Sequence, residues 1–450
     1  MTYSYALTQD LTWQSAINWQ QPDTPFMSYA YWQALTDTGA IGQQSGWVPL
    51  YVLIYKNPRH NDNGDASNNY QDNLPQNLPK TDTFENLVAA MPLFIKGHHQ
   101  GEYVFDHAWA EAYARYGADY YPRLVTAVPY TPVSGQRFWL AKGAALTTEI
   151  WQAAIAAIDE VAKQTGASSW HGLFMQHQQI TAAKPLSSMS PQLLERQGCQ
   201  FLWHNQKLTA AADNHTDNHT DNNTEDTSAV QGINSFLDFD DFLTTLTAKK
   251  RKNIRAERKK IAKQKLTCRI KTGHDIGSDD WDIFYQCYAM TYAVRGRHPY
   301  LSADFFEQIA QSMPEHLMLA QALDEGGDII ASSLFFYDDP KQKNATLYGR
   351  YWGCLEEYDS LHFELCYYLG IEFAIDKGLA YFDPGTQGEH KLIRGFVPTK
   401  THSLHRIYDP RFEPAIANFC AEDRHYMQQY RQQAHEALPF NIDNMPAFKG

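Results

Sequence analysis

Glu389, His390, Lys391 and Arg394 lie close together in "DPGTQGEHKLIRGFVPT" (383–399), directly behind the apolar run "LAYFDPG" (379–385). Residues of these types can take a proton from a substrate and stabilise negative charge that develops on it. Glu389 or His390 can accept the proton, directly or through water, while Lys391 or Arg394 can balance the negative charge. A plain structural reading also fits, in which Glu389 pairs with Arg394 and the glycines serve turns.

A second cluster, "TYAVRGRHPYLS" (291–302), carries Arg295, Arg297 and His298 between two helical patterns. Two arginines flanking a glycine can grip a phosphate or carboxylate in bidentate fashion; the bland alternative is a charged surface loop. Tyr348 and Arg350 of "NATLYGRYWGC" (344–354), with Asp383, complete the substrate-binding candidates.

The segment "KKRKNIRAERKKIAKQK" (249–265) holds ten basic residues against one acid, Glu257. The whole chain has a formal net charge of −13, so attraction to a polyanion must be local to this stretch. Spacing predicts a basic helix over 242–265, with Leu243, Leu246, Ile254 and Ile261 along one stripe and Lys252, Lys259 and Lys263 opposite, Arg255 beside them. Such a face can meet RNA or anionic lipid, or can simply be solvated. No aromatic side chain interleaves to stack bases.

Metal and nucleophile chemistry finds less support. His362 and Cys366 sit four apart, and His98, His99 and Glu102 cluster in "GHHQGE", but neither group makes a full ligand set, and no metal is expected. GxSxG, Walker and GxGxxG signatures are absent. Six scattered cysteines without a CxxC fit reduced thiols.

The elements that position these residues follow from apolar pattern. Before the midpoint, 46–56, 90–97, 120–132 and 136–143 read as strands, 147–167 as a helix ending at Gly166, and 169–175 as a strand. A short helix is expected at 191–198 and a strand at 200–206. After the basic helix come helices at 279–293 and 302–313 and hairpin strands at 316–323, 327–339 and 344–354. A helix at 360–378, apolar nearly all round, then leads into a strand at 379–385. Two stretches rich in Asn, Asp and Thr, 61–82 and 209–229, read as solvated insertions. The second is the expected linker between a 1–208 domain and a 230–450 domain. With 450 residues and 43% hydrophobic composition, two cores are expected. The absence of a long apolar run and of a signal-peptide start predicts a cytoplasmic protein.

Each half thus shows sheet, crossover helix and strand, an α/β pattern that resembles the GNAT acyltransferase fold in tandem and, through that, the Fem-type peptidyltransferases. More closely, "KGHHQGEYVFDHAWAEAYARYG" (96–117), "YYPRLVTAVPYTPVSG" (120–135), "LTAKKRKNIRAERKKI" (246–261), "RGRHPYLSADFF" (295–306) and 378–405 resemble a GNAT-like bacterial family named for peptidoglycan biosynthesis or recognition. The resemblance implies transfer of an acyl or aminoacyl group to an amine, with acyl-CoA or aminoacyl-tRNA as donor, no tightly bound cofactor, and a peptidoglycan-precursor-like anionic acceptor. A tRNA would then run along the basic helix. The alternative is a non-catalytic module that recognises such precursors or other anionic partners. Two departures stand out. In "RYWGCL" the Q/R-x-x-G-x-G/A phosphate loop of acetyl-CoA enzymes has Leu355 in its last small position and Glu356, Glu357 and Asp359 beyond it, which would repel a pyrophosphate. His107 stands where the family's "FDW" word has Trp.

Overall fold

The computed structural model describes residues 2–57, 84, 86–207, 235–386 and 388–448, so both Asn-rich insertions lie outside the described residues. The chain forms two compact units: Met1–Gln197 with Thr401–Asp423, and Gly198–Lys400 with Arg424–Gly450. The units therefore do not follow chain order, because part of the C-terminal third belongs to the first.

The first unit contains β1 (Tyr3–Thr8), α1 (Trp13–Ala16), α2 (Tyr29–Asp37), β2 (Trp47–Lys56), β3 (Leu87–Lys96), α3 (His107–Arg115), β4 (Arg123–Thr126), β5 (Trp139–Leu140), α4 (Thr148–Thr165), β6 (Ser169–Met175) and α5 (His177–Ala183). Strands β1 to β4 pair antiparallel in sequence order, and β4 then pairs parallel with β6 across the α4 crossover. Helix α4 illustrates why: Thr147 caps it by accepting the Ile150 amide, and Gly166, at φ 65°, ends it in a left-handed turn. Its inward stripe of Ile150, Trp151, Ile155, Ile158 and Val161 is buried against the sheet, each large side chain contributing about 1.5–3 kcal/mol as an upper bound.

The second unit repeats the order with β7 (Leu194–His204), α6 (Phe239–Thr244), α7 (Ala248–Lys263), β8 (Thr267–Thr272), α8 (Ser278–Ala293), α9 (Ala303–Ser312), β9 (Leu317–Leu323), β10 (Ile329–Tyr337), β11 (Thr346–Cys354), α10 (Leu361–Phe363), α11 (Leu369–Asp376) and β12 (Tyr381–Asp383). Strands β8 to β11 are an antiparallel run, β12 joins β11 in parallel, and β7 closes on β12. Strand, two helices, antiparallel strands, crossover helix and parallel strand occur in both units, which makes this a mixed α/β chain of two GNAT-like units. Strand β13 (Val397–Ile407) and helix α12 (Glu413–Glu436) follow; from His402 onward β13 pairs antiparallel with β6 and so completes the first unit.

Three local expectations are corrected. The short helix expected at 191–198 is the start of β7: Leu194 packs with Trp109, Tyr113 and Phe412, and that tertiary burial overrides a weak helical pattern. The basic helix over 242–265 is two helices, broken where Thr245 O accepts the Asn441 amide (2.8 Å) and Thr247 N–H donates to Pro439 O (2.8 Å). The apolar helix at 360–378 is interrupted by a π-turn, Glu364–Tyr368. Gly370 lets this helix lie hard on the sheet, since a Cβ there would stand 2.7 Å from the Phe382 ring. Among the described residues no helix is long and apolar enough to cross a membrane.

Candidate active site

Strands β11 and β12 share only three residue pairs, Thr346↔Tyr381, Leu347↔Phe382 and Tyr348↔Asp383. Beyond them β11 continues to Cys354 while β12 ends, and the strands part. A cavity of about 450 Å³ opens there, lined among others by Arg295, Arg350, His362, Tyr367, His390 and Lys391. The loop after β12 is folded into a 3₁₀ turn, Glu389–Arg394, which brings His390 and Lys391 to the cavity wall.

Lys391 is buried, and its Nζ donates to Gly385 O (2.6 Å) and Thr386 O (3.1 Å). Burial outweighs the help of nearby Asp383 and brings its pKa down to about 8. At neutral pH it is still mainly a cation, held by carbonyl dipoles. His390 Nε2 meets the Tyr367 hydroxyl at 2.7 Å. Burial, with Arg394 and Lys391 close by, lowers its pKa below the ordinary histidine value, so the ring is neutral at pH 7. His362 is pushed further down, to about 4, by the same causes, burial first and then His390, Arg394 and Lys391. The cavity thus joins neutral imidazoles to fixed cations.

The other candidates divide between the cavity and the scaffold. Arg350 lines the cavity, but it is committed to Asp383, with NH2 to Oδ2 at 2.8 Å and NH1 to the Asp383 carbonyl at 3.2 Å. Asp383 also accepts the Gly385 amide through Oδ1 (2.8 Å), so the pair shapes the turn that presents Lys391. Tyr348 does not line the cavity; its hydroxyl donates to Asp338 (3.0 Å). Arg295 reaches the cavity, whereas Arg297 and His298 are exposed on the same loop and do not line it.

Arg394 and Glu389 do not pair with each other. Arg394 is buried, stacks over the Phe363 ring at 3.5 Å, and donates to Tyr368, to His390 O and to Glu257. It is therefore a scaffold residue placed behind the cavity, because its charge finds the one acid of the basic segment (2.8 Å). Glu389 is exposed, accepts from Tyr430 (3.2 Å) and does not line the cavity.

On α7 the apolar stripe is buried as expected at Ile254 and Ile261. The arginines turn to internal partners: Arg251 to Leu246 O, Arg255 to Asp240, Arg258 to both Glu364 and Glu372. Lys252, Lys259 and Lys263 are exposed and have no ion-pair partner among the described residues. In the first unit the "KGHHQGEYVFDHAW" word becomes a buried network in which Arg123 pairs with Glu102 and Asp106, and Lys96 lies 3.6 Å from Glu102. These residues hold the fold. His107 starts α3 on the surface, its ring 4.8 Å from that of His99. Among the described residues no three His, Cys, Asp or Glu converge as metal ligands.

Sequence reasoning missed His362, Tyr367 and Ser333 as cavity residues. The signal was present in part: His362, Cys366 and Tyr367 are among the polar residues that interrupt the apolar crossover helix, and the π-turn carries the last two. Cys366 Sγ lies 3.6 Å from Ser333 Oγ, and burial raises its thiol pKa to about 12, so it is not a poised thiolate. Gly353, expected as part of a phosphate loop, has another reason to be glycine: a Cβ there would collide with the Cys287 carbonyl of α8.

A family model described as FemAB-like, peptidoglycan biosynthesis/recognition, matches residues 7–215 and 223–442. No curated protein matches the sequence. Among solved structures, L-PGS from Bacillus licheniformis is similar at 9% identity and TM-score 0.42, covering 75% of this chain and 86% of its own. A tandem GNAT protein from the clavulanic acid biosynthesis pathway gives 9% and 0.41, covering 91% of this chain and 99% of its own. N-myristoyltransferase from Saccharomyces cerevisiae gives 11% and 0.37, covering 90% and 80%. All three likenesses are remote, and the fold rests on the strand order described above.

Proposed function

The chain belongs to the FemAB-like family, and we propose that its second unit transfers an acyl or aminoacyl group to the amine of an anionic, peptidoglycan-precursor-like acceptor. The observation that carries this reading is the parting of β11 and β12 over a cavity that places neutral His390 beside the Lys391 cation. The amine nitrogen attacks the donor carbonyl, forming the C–N bond. His390 accepts the amine proton at Nδ1, which has no hydrogen-bond partner among the described residues, while Nε2–H is held by Tyr367. Lys391 offers its third N–H to the oxyanion, and Arg295 orients the anionic part of the acceptor. Collapse of the tetrahedral species expels the donor's leaving group, which takes up a proton.

The donor is acyl-CoA or aminoacyl-tRNA. Glu356, Glu357 and Asp359 follow β11 where a CoA pyrophosphate would seat, which favours the aminoacyl ester. The lysines on α7 then serve as the polyanion contact, for tRNA or an anionic membrane surface. The same carboxylates also support the rival reading of a recognition module without transfer. Calorimetric titration with acetyl-CoA, charged tRNA and a nucleotide-linked muropeptide separates the two. Donor binding together with product formation, lost in H390A/K391A, is the expected result; binding of the muropeptide with no donor bound would overturn the enzyme reading.

A further inference from the structure

A second cavity, of about 270 Å³, lies in the first unit at the end of β6. No Lys, Arg or His lines it, and six glutamines do, over a floor that includes Phe138 and Leu146. A single carboxylate, Asp23, is already used: Gln176 Nε2 donates to its Oδ2 at 2.6 Å. The Asp23 amide in turn donates to Gln136 Oε1 (2.9 Å), whose Nε2 donates to Phe138 O (3.1 Å). These bonds fix which end of the Gln136 and Gln176 amides faces which way.

What remains is a set of oriented, unused amide ends. Gln179 is buried at 6% exposure, its Oε1 taken by the Arg137 amide (3.1 Å), and its Nε2 has no partner among the described residues. Gln176 Oε1 and Gln20 Oε1 are likewise unpaired there, the Gln20 Nε2 being held by Ala141 O (3.1 Å) and Ala144 O (2.5 Å). Gln179 Nε2 is not sealed off but opens on the cavity, where a ligand carbonyl can take the place of water as its acceptor. The wall is held in place by Arg137, fully buried, which ties this segment to β6 by donating to Leu173 O (2.9 Å) and braces the segment itself through Gln136 O (2.7 Å) and Val133 O (2.5 Å).

We propose that this cavity binds a neutral ligand through a secondary amide. Its carbonyl accepts from Gln179 Nε2, its N–H donates to Gln176 or Gln20 Oε1, and the adjoining methyl rests on Phe138 and Leu146. Neutrality follows from the lining: an anion would meet no cation, and a cation would find the one carboxylate engaged. The acetamido group of an amino sugar and an alanyl peptide bond share this chemistry.

Titration of the full chain by NMR or calorimetry with diacetylchitobiose, with N-acetyl-alanyl-alanine amide and with cellobiose, which has no amide, tests the assignment. Saturable binding of the first identifies a sugar source, and of the second a peptide source; cellobiose should not bind. Gln179→Glu keeps the acceptor for Arg137 but replaces the free donor, and should weaken binding about tenfold or more. Should that variant misfold, the double variant Gln20→Leu/Gln176→Leu, at less buried positions, removes both proposed acceptors of the ligand N–H and should weaken binding in the same way. Absence of saturable binding by either amide, equal binding of cellobiose, or affinity unchanged in the variants would overturn the proposal.

Discussion

The two units solve the same topological problem in opposite ways. In the second, β11 and β12 run parallel for three residue pairs and then separate, leaving a cavity walled by cations and imidazoles. In the first, β4 and β6 also share three pairs, Leu124↔Trp170, Val125↔His171 and Thr126↔Gly172. There the chain leaves β4 and returns, pairing Gly135 with Met175 in parallel, while Ala127, Val128, Tyr130, Thr131 and Val133 are all buried. Arg137 completes the closure through three carbonyls and no carboxylate, and burial lowers its pKa to about 9. One unit keeps the strand parting open as a cavity; the other fills it with its own chain. A buried cation held by carbonyls therefore does not mark a reactive site by itself. Lys391 borders open space and Arg137 does not.

That contrast gives the largest expected effects. Lys391→Met should lower transfer by about 10³-fold, as for loss of an oxyanion donor, while circular dichroism and the melting midpoint stay close to wild type. Arg137→Met should do the reverse, destabilising the fold by about 3 kcal/mol through lost charge-assisted hydrogen bonds while turnover at low temperature persists. A melting curve and an initial rate on each variant suffice; equal loss of activity in both would erase the distinction between the units.

Much of this was legible in the sequence, and the gaps have physical causes. Alternation and turn residues located β2, β3 and β9 to β11, and helical spacing located α4, α8 and α9, because each buries one clear face. The 389–394 turn was singled out because four ionisable groups crowd behind an apolar strand. Their roles were not, since charge alone cannot say which side chain points into a cavity: Arg394 turned inward to Glu257, and Glu389 outward. Tyr367 stayed hidden because a polar atom in an apolar helix looks like packing until a π-turn re-aims it, and His362, just before that turn, read only as half of an incomplete ligand pair. The assignment of Thr401–Asp423 to the first unit depends on pairing between strands more than 200 residues apart, which no local pattern encodes.

His390 should give the next effect, about 10²-fold on replacement by Ala. The pH profile carries more information. The rate should rise as the His390 imidazole loses its proton, below the ordinary histidine pKa, and fall as Lys391 loses its own near pH 8. His390→Ala should remove the acid limb only. Lys391→Arg should move the alkaline limb up, since a guanidinium stays charged. Linkage gives the stability counterpart: Lys391 has a folded pKa of about 8 against 10.5 for an ordinary solvated lysine, so the unfolded chain binds the extra proton between those values. The contribution of this group to stability should then increase with pH across that window, and Lys391→Met should flatten it in pH-dependent denaturation.

The smallest effect on chemistry, and the sharpest on partners, is expected from α7. Its arginines serve the scaffold, whereas Lys252, Lys259 and Lys263 face outward without acidic partners among the described residues. Changing these three to Glu should leave transfer between small soluble substrates within about twofold, because exposed charges of this kind act weakly over the distance to a buried site. Retention on RNA or on vesicles containing anionic lipid should fall in the same variant, and the wild type should lose it steeply with added salt, by counterion release on RNA and by charge screening on vesicles. If the triple variant instead lost turnover of small substrates, α7 would belong to the reactive apparatus, and the division between an open cavity and its charged exterior would have to be redrawn.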